Sequence, residues 1–358
     1  MKILDYIHWR GDLSFKDFPL NEVDSLIFST LCYEDFADLQ PQTINQLHDA
    51  FFKLHKEEDL KKRKTLTARS YELLKACAYT NRFGNIMVSN YINEIDPTTS
   101  SQFSAITFSF NDQFKYIAFR GTDDTIIGWK EDFMFSYKDK TASQQKAVLY
   151  LENVLKQKKL FKKTTYYVGG HSKGGNLAIY ASTKIQDKYK PLIKEVHNFD
   201  GPGFDLPFWK DADLSKITSF IPQSGFFGRL LSHQEKNIVI QSAQTGLLQH
   251  DPFQWKVDVN VLLKAPHFSE GSNKAITRFN ELMDLYSKED RKKVVEALFA
   301  IFEKLEIYTL SDMTEIDMND ILNSIKLLTD LDSSSRKFLK DLFMMILDLT
   351  ELNSKHKS

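Results

Sequence analysis

The chain has 358 residues, 42% of them hydrophobic and 27% charged, with a formal net charge of −1. That length suits one large domain with an appendage or two domains of moderate size, and the near-zero charge excludes a global field drawing the protein to nucleic acid or an anionic membrane. No run reaches the length of a membrane span, the start (Met1-Lys2-Ile3-Leu4-Asp5-Tyr6) lacks a signal-peptide core, and the two cysteines, Cys32 and Cys77, form no metal-ligand spacing. The expectation is a cytoplasmic protein with buried thiols and no cofactor or metal.

Residues 1–98 read as a mostly helical N-terminal part by apolar spacing. Thr43 to His55 carries Ile44, Leu47, Phe51, Phe52 and Leu54 on one stripe, Lys56 to Lys64 is a charged linker or helix face, and Ala68 to Tyr79 forms a further helix. Residues 99–270 have a different texture. Gln102 to Phe110 alternates, Asn111-Asp112 supplies turn chemistry, and Lys115 to Arg120 resumes a strand, which predicts a hairpin. Short strands then recur at Tyr166 to Val168, Glu195 to Phe199, Ile217 to Ile221 and Asn237 to Gln241, with a helix over Asn176 to Ile185. Alternation of this kind argues for an α/β fold with a mostly parallel sheet flanked by helices. Residues 271–358 are helical again. Ser287 with Asp290 predicts a capping box ahead of Val294, Val295, Leu298, Phe302 and Leu305. Phe338, Leu339, Leu342, Phe343, Ile346 and Leu349 make a last apolar helix, with Ile321, Ile325 and Leu328 nearby.

Gly170-His171-Ser172-Lys173-Gly174 stands between the apolar strand ending at Val168 and a helix-forming run. A serine on a sharp strand-to-helix turn needs small neighbours two before and two after, so this setting points to a nucleophile elbow and an α/β-hydrolase fold. Such a serine needs a base, a group orienting the base, and donors for an oxyanion. The backbone N–H of Lys173 is one donor by construction. The strand end Ile117-Ala118-Phe119-Arg120-Gly121-Thr122 offers the second at Thr122.

Phe119-Arg120-Gly121-Thr122, Trp129-x-x-Asp132 and the serine motif resemble the class 3 (fungal-type) lipases over roughly residues 103–255. Through Asp5-Tyr6-Ile7-x-Trp9-Arg10-Gly11-Asp12, Asn198-Phe199-Asp200-Gly201-Pro202-Gly203-Phe204 and Gln249-His250-Asp251-Pro252-Phe253, nearly the whole chain resembles a bacterial branch of lipase-like α/β-hydrolases, the Mbeg-like domain of unknown function. The resemblance implies Ser172 as nucleophile, Thr122 and the Lys173 backbone as oxyanion hole, and Asp132 near the oxyanion loop. It also makes Thr125 to Phe135, with Ile126, Ile127, Trp129, Phe133 and Phe135, either a mobile lid or a set of core aromatics.

Among His197, His233, His250 and His267, chain order and the resemblance favour His250 as base. The acid departs from the lipase pattern: the turn after Ile217 to Pro222 reads Gln223-Ser224-Gly225, without a carboxylate. Asp200, at the preceding strand end, is the replacement, unless its side chain only holds its own turn. Asp251 and Asp205 are weaker choices, and a Ser172–His250 dyad oriented by Ser224 stays open.

The expected activity is an intracellular serine hydrolase acting on an acyl ester or lipid-like small molecule through an acyl-enzyme. Phe226, Phe227, Leu230 and Leu231 could line an acyl pocket. Lys173 is either a polar residue at the helix start or a cation for an anionic head group. Acyl transfer or thioester hydrolysis by the same serine is the first alternative. A non-catalytic scaffold whose C-terminal helices bind a protein partner is the second. No nucleic-acid partner is expected.

Overall fold

The computed structural model describes residues 1–37, 42–63, 68–96, 98–99, 101–111, 113–122, 126–157, 164–307 and 332–341. The predicted hairpin forms from β3 (Ser101–Phe110) and β4 (Phe114–Phe119), antiparallel, with Phe110 opposite Phe114. Alternating residues suggest one wet face, yet nearly all of β3 is buried, because both faces of the sheet are covered. Its small hydroxyl residues are absorbed in the interior: Thr107 Oγ1 lies 2.9 Å from the Tyr150 hydroxyl.

From β4 onward the sheet is parallel, through β5 (Thr165–His171), β6 (Ile193–Phe199), β7 (Ile217–Pro222) and β8 (Lys236–Ile240). Each predicted strand appears within a few residues of its expected limits. On the other side of the hairpin, β2 (Met87–Asp96) and the two-residue β1 (Gln42–Thr43) extend the sheet in antiparallel fashion, giving eight strands in sequential order among the described residues. Strand β2 lies in the part expected to be mostly helical. A register shift between Ser89 and Ile92, with Asn90 at φ 54°, breaks its two-residue alternation and hides it from periodicity.

Helices α1 (Ile3–Arg10), α2 (Glu22–Leu31), α3 (Ile44–Leu54), α4 (Glu57–Leu60) and α5 (Ser70–Cys77) precede β2. Their apolar faces form one core with Phe108, Tyr116 and Phe199 of the sheet. A buried ion pair ties this part together: Arg82 Nη2 lies 2.5 Å from Asp24 Oδ2, and the Tyr6 hydroxyl donates to Asp24 Oδ1 at 2.9 Å. Burial alone would make such a charge costly, and the guanidinium is further satisfied by the carbonyls of Leu13, Phe18 and Pro19. The Tyr6 segment at the start of the chain therefore has a structural role here.

The opposite sheet face is covered by α7 (Ala142–Lys156) and α8 (Lys173–Lys184), through Ala147, Leu151, Leu177 and Ala178. Between β4 and α7 runs α6 (Ile126–Met134). A small hairpin, β9 (Val257–Asp258) with β10 (Val261–Leu262), follows the sheet. The C-terminal helices α9 (Glu270–Asp284) and α10 (Lys288–Lys304) build a separate core of Val294, Leu298 and Phe302 with Phe338 and Leu339. Ser287 and Asp290 make the predicted capping box. Ile321, Ile325, Leu328, Leu342, Phe343, Ile346 and Leu349 lie outside the described residues. Among the described residues, no helix is long and apolar enough to cross a membrane.

Candidate active site

Ser172 sits between the end of β5 and the first turn of α8 at φ 58° and ψ −133°, a left-handed backbone that L side chains rarely adopt. The sharp turn leaves no room beside it. A Cβ on Gly170 would fall 2.3 Å from the carbonyl carbon of Gly174, and one on Gly174 would fall 2.1 Å from the Phe119 carbonyl oxygen. Gly170 is thus required by the tightness of the elbow itself, and Gly174 by its contact with strand β4. Ser172 N–H donates to the Phe199 carbonyl at 2.8 Å, fixing the elbow to β6.

The loop after β4 abuts the elbow. A Cβ on Gly121 would come within 2.6 Å of the His171 carbonyl oxygen and 3.0 Å of Ser172 Cβ. Its neighbour Thr122 donates its hydroxyl to Asp132 Oδ2 at 2.5 Å. Asp132 belongs to α6, so this helix and the loop beside Ser172 are joined through a charged hydrogen bond. Thr125 and the side chains of Ile126, Ile127 and Trp129 lie outside the described residues. Phe133 packs edge-on against Phe299 of α10, with ring centroids 5.9 Å apart, and Phe135 is buried.

His250 ends a short 3-10 turn, and its Nδ1 lies 2.6 Å from Asp200 Oδ2. Asp200 follows β6 with φ 54° and is fully buried. Its second oxygen, Oδ1, accepts the N–H of Gly228 at 3.0 Å. The alternative role, closing the Asp200-Gly201 turn, is taken by Asn198, whose Oδ1 accepts the Gly201 N–H at 2.9 Å. Burial raises the Asp200 carboxyl to about 7 and lowers the His250 imidazole to about 3. Both directions have the same cause, since a dry site disfavours each charged form.

His250 is held from several sides. Phe227 lays its ring against it at 4.5 Å, and His171 sits at 4.5 Å on a tilted ring. His171 Nε2 donates to the His250 carbonyl at 2.8 Å, which leaves Nδ1 to accept from the Tyr33 hydroxyl at 2.9 Å. This neutral tautomer suits its surroundings, and burial pushes the His171 pKa down to about 3. Trp255 Nε1 fixes the adjoining carbonyl of Gln249 at 2.7 Å.

The remaining candidates lie elsewhere or serve other contacts. His197 packs between Phe199 and Phe220, His233 pairs with Glu235 at 2.7 Å, and His267 is exposed. Asp251 caps its own turn through the Phe253 N–H, and Asp205 reaches Lys288 at 3.1 Å. The Ser224 hydroxyl lies 2.9 Å from that of Ser269, so its partner is a residue just ahead of α9.

One expectation is corrected. The Lys173 side chain is buried, with its ammonium 3.0 Å from the Gln102 carbonyl and 3.2 Å from Glu131 Oε2. It does not face an incoming head group, because α8 enters the interior directly behind the elbow. Glu131, absent from the sequence candidates, also accepts from Ser143 Oγ at 2.7 Å and from the N–H groups of Ser143 and Gln102. Burial alone would raise its pKa, but Lys173 and these donors outweigh burial and hold the carboxyl below its ordinary value. The signal was a lysine inside the elbow, since a cation carried into a core requires an acid. Tyr33 and Gly228 carried no motif, and Phe227, expected in an acyl pocket, lies against the His250 ring.

The family model for Mbeg1-like proteins matches residues 77–300, from α5 through the sheet to α10. Among solved structures, the chain is similar to one titled "Crystal structure of M37 lipase", at 18% identity and a TM-score of 0.31, over 57% of this chain and 68% of that one. No curated protein matches. With well over half of its length matched, the chain belongs to the Mbeg1-like family.

Proposed function

We propose that this protein is a serine hydrolase that cleaves carboxylester bonds through an acyl-enzyme. The observation that carries the reading is the 2.6 Å contact between His250 Nδ1 and the buried Asp200 carboxylate, with the His250 ring 4.5 Å from that of His171, the residue before the strained turn at Ser172. In this reading, Ser172 Oγ attacks the ester carbonyl carbon while its proton passes to His250 Nε2. The oxyanion that forms is met by the N–H of Lys173 and by Thr122. Collapse expels the alcohol, which takes the proton from His250. Water, deprotonated by His250, then releases the acid and restores Ser172. Asp200 holds the imidazole in the Nδ1–H tautomer and offsets the charge formed on it.

An acyl ester of lipid-like character is the substrate class we favour, given Phe227 on the base and Phe226 beside it. The setting we propose is a reducing cytoplasm, in keeping with the free, buried thiols of Cys32 and Cys77. The test is labelling by a fluorophosphonate probe, together with turnover of short p-nitrophenyl esters. Wild type should label and turn over, and Ser172→Ala should do neither while staying folded. Equal labelling of both proteins would defeat the assignment, and no labelling of either would favour a non-catalytic scaffold.

A further inference from the structure

Resting on the reading of Ser172 as nucleophile, we propose that Glu131 and the side chain of Lys173 are positioning residues for the oxyanion hole. They fasten α6 to the back of the elbow. The geometry begins with two neighbouring carboxylates on α6 that hold two different parts of the site. Asp132 takes the Thr122 hydroxyl at 2.5 Å, and Glu131 takes the Lys173 ammonium at 3.2 Å. Thr122 and the Lys173 backbone N–H are the two donors assigned to the oxyanion. One short helix segment therefore grips both donors' residues.

Glu131 is more than a charge partner. It collects hydrogen bonds from Gln102 at the start of β3, from Ser143 at the start of α7 and from Lys173 at the start of α8. Lys173 in turn reaches both the carbonyl and the side-chain oxygen of Gln102, at 3.0 and 3.3 Å. Three elements, the elbow helix among them, thus meet on one carboxylate with 1% of its side chain exposed. A salt bridge this dry is weak evidence for stability, because desolvation cancels much of the attraction. Its directional hydrogen bonds nevertheless fix where the chain runs on either side. Oxyanion donors act only if held in place before charge develops, so the ligature belongs to transition-state binding.

The consequence is a specific kinetic signature. Loosening the pair should weaken binding of the oxyanion and leave ground-state binding of the ester alone. A trifluoromethyl ketone reads this directly. Serine Oγ adds to its carbonyl carbon, the hydroxyl proton passes to the imidazole, and the resulting oxyanion occupies the donors. Three variants should be compared with wild type: Glu131→Gln, Ser143→Ala and the apolar double variant Glu131→Leu/Lys173→Met. The double variant removes both charges together, which avoids an unpaired buried ion. Ser143→Ala removes a single oxygen from the same carboxylate's shell.

For Glu131→Gln and the double variant, kcat on a short p-nitrophenyl ester should fall roughly 10- to 100-fold with KM unchanged. Ketone affinity should fall by the same factor, and Ser143→Ala should move both in the same direction by less. Each protein is assayed well below its own melting temperature, so that a merely structural role would lower Tm without this parallel. Wild-type kcat and ketone affinity in any folded variant of the pair would overturn the proposal. Equal values for Ser143→Ala and wild type would do so as well. Ser172→Ala is run alongside: if it stays active, the hydrolase reading itself has failed, whereas its inactivity beside a fully active Glu131→Gln isolates the failure to this proposal.

Discussion

Phe279 of α9 packs edge-on against Phe226, with ring centroids 5.5 Å apart, in the loop whose next two residues serve the candidate pair. Phe227 lies on His250, and Gly228 donates to Asp200. The same loop is tied to α9 a second time, where Ser272 Oγ donates to the Gly225 carbonyl at 2.9 Å and accepts from Arg229. The C-terminal helices thus brace the segment that supports the candidate acid and base.

Phe279→Ala should therefore affect more than stability. Removing a half-buried ring at this contact should cost about 1–3 kcal/mol. It should also lower kcat by up to about tenfold, since a small misplacement of the base is expensive. Thermal unfolding and ester turnover check the two effects separately. A fall in Tm with unchanged kcat would mean that the brace does not reach the site.

Asp200→Asn should remain folded and lose roughly 10³–10⁴ in kcat, because the amide can hold His250 in the wrong tautomer. The replacement keeps the size of the side chain and its acceptor for the Gly228 N–H. Circular dichroism with turnover measurements makes the comparison. Retention of most activity would favour a serine–histidine dyad instead.

Thr122→Val keeps the branched shape and deletes the hydroxyl that donates to Asp132. If the Thr122 hydroxyl turns its proton from Asp132 to the oxyanion, kcat should fall roughly 10²–10³-fold with little change in KM. Steady-state kinetics on short and long esters would separate this from a packing effect, which should raise KM on the longer substrate.

The pH dependence of stability carries a sign set by His171. Its pKa in the fold is about 3, below its ordinary 6.5, owing to burial. The unfolded chain therefore binds the proton more readily, and the stabilisation present above about pH 6.5 is lost as pH falls through that value toward 3. In denaturant titrations between pH 6.5 and 4, wild type should lose up to about 1.4 kcal/mol per pH unit more than His171→Asn. Parallel slopes for the two proteins would show that His171 does not make this contribution. Asp200 and His250 act electrostatically on His171, so the slope difference reports the contribution of His171 within that cluster.

The elbow was legible in the sequence because its requirement is local. Two glycines flank a serine between an apolar strand and a helix, and the contacts that demand them arise within a few residues and one neighbouring strand. The parallel strands were legible for a similar reason, since continuous apolar runs bounded by turns mark buried strands. Strand β2 was not, because its bulge interrupts the two-residue repeat and its pairing energy comes from β3. Asp200 could be nominated from its place at a strand end, but several acids shared that plausibility. Only the fold brings it to His250, 50 positions away in the chain, and assigns the turn to Asn198. Glu131 left a still fainter trace. A lysine in the elbow implies a buried anion, yet which of the 48 acidic residues supplies it depends on how α6 crosses the start of β3 and α7. Local sterics are written in neighbouring residues. Electrostatic partnership across the core is decided by tertiary packing, because desolvation permits a buried charge only where the fold delivers its counter-charge.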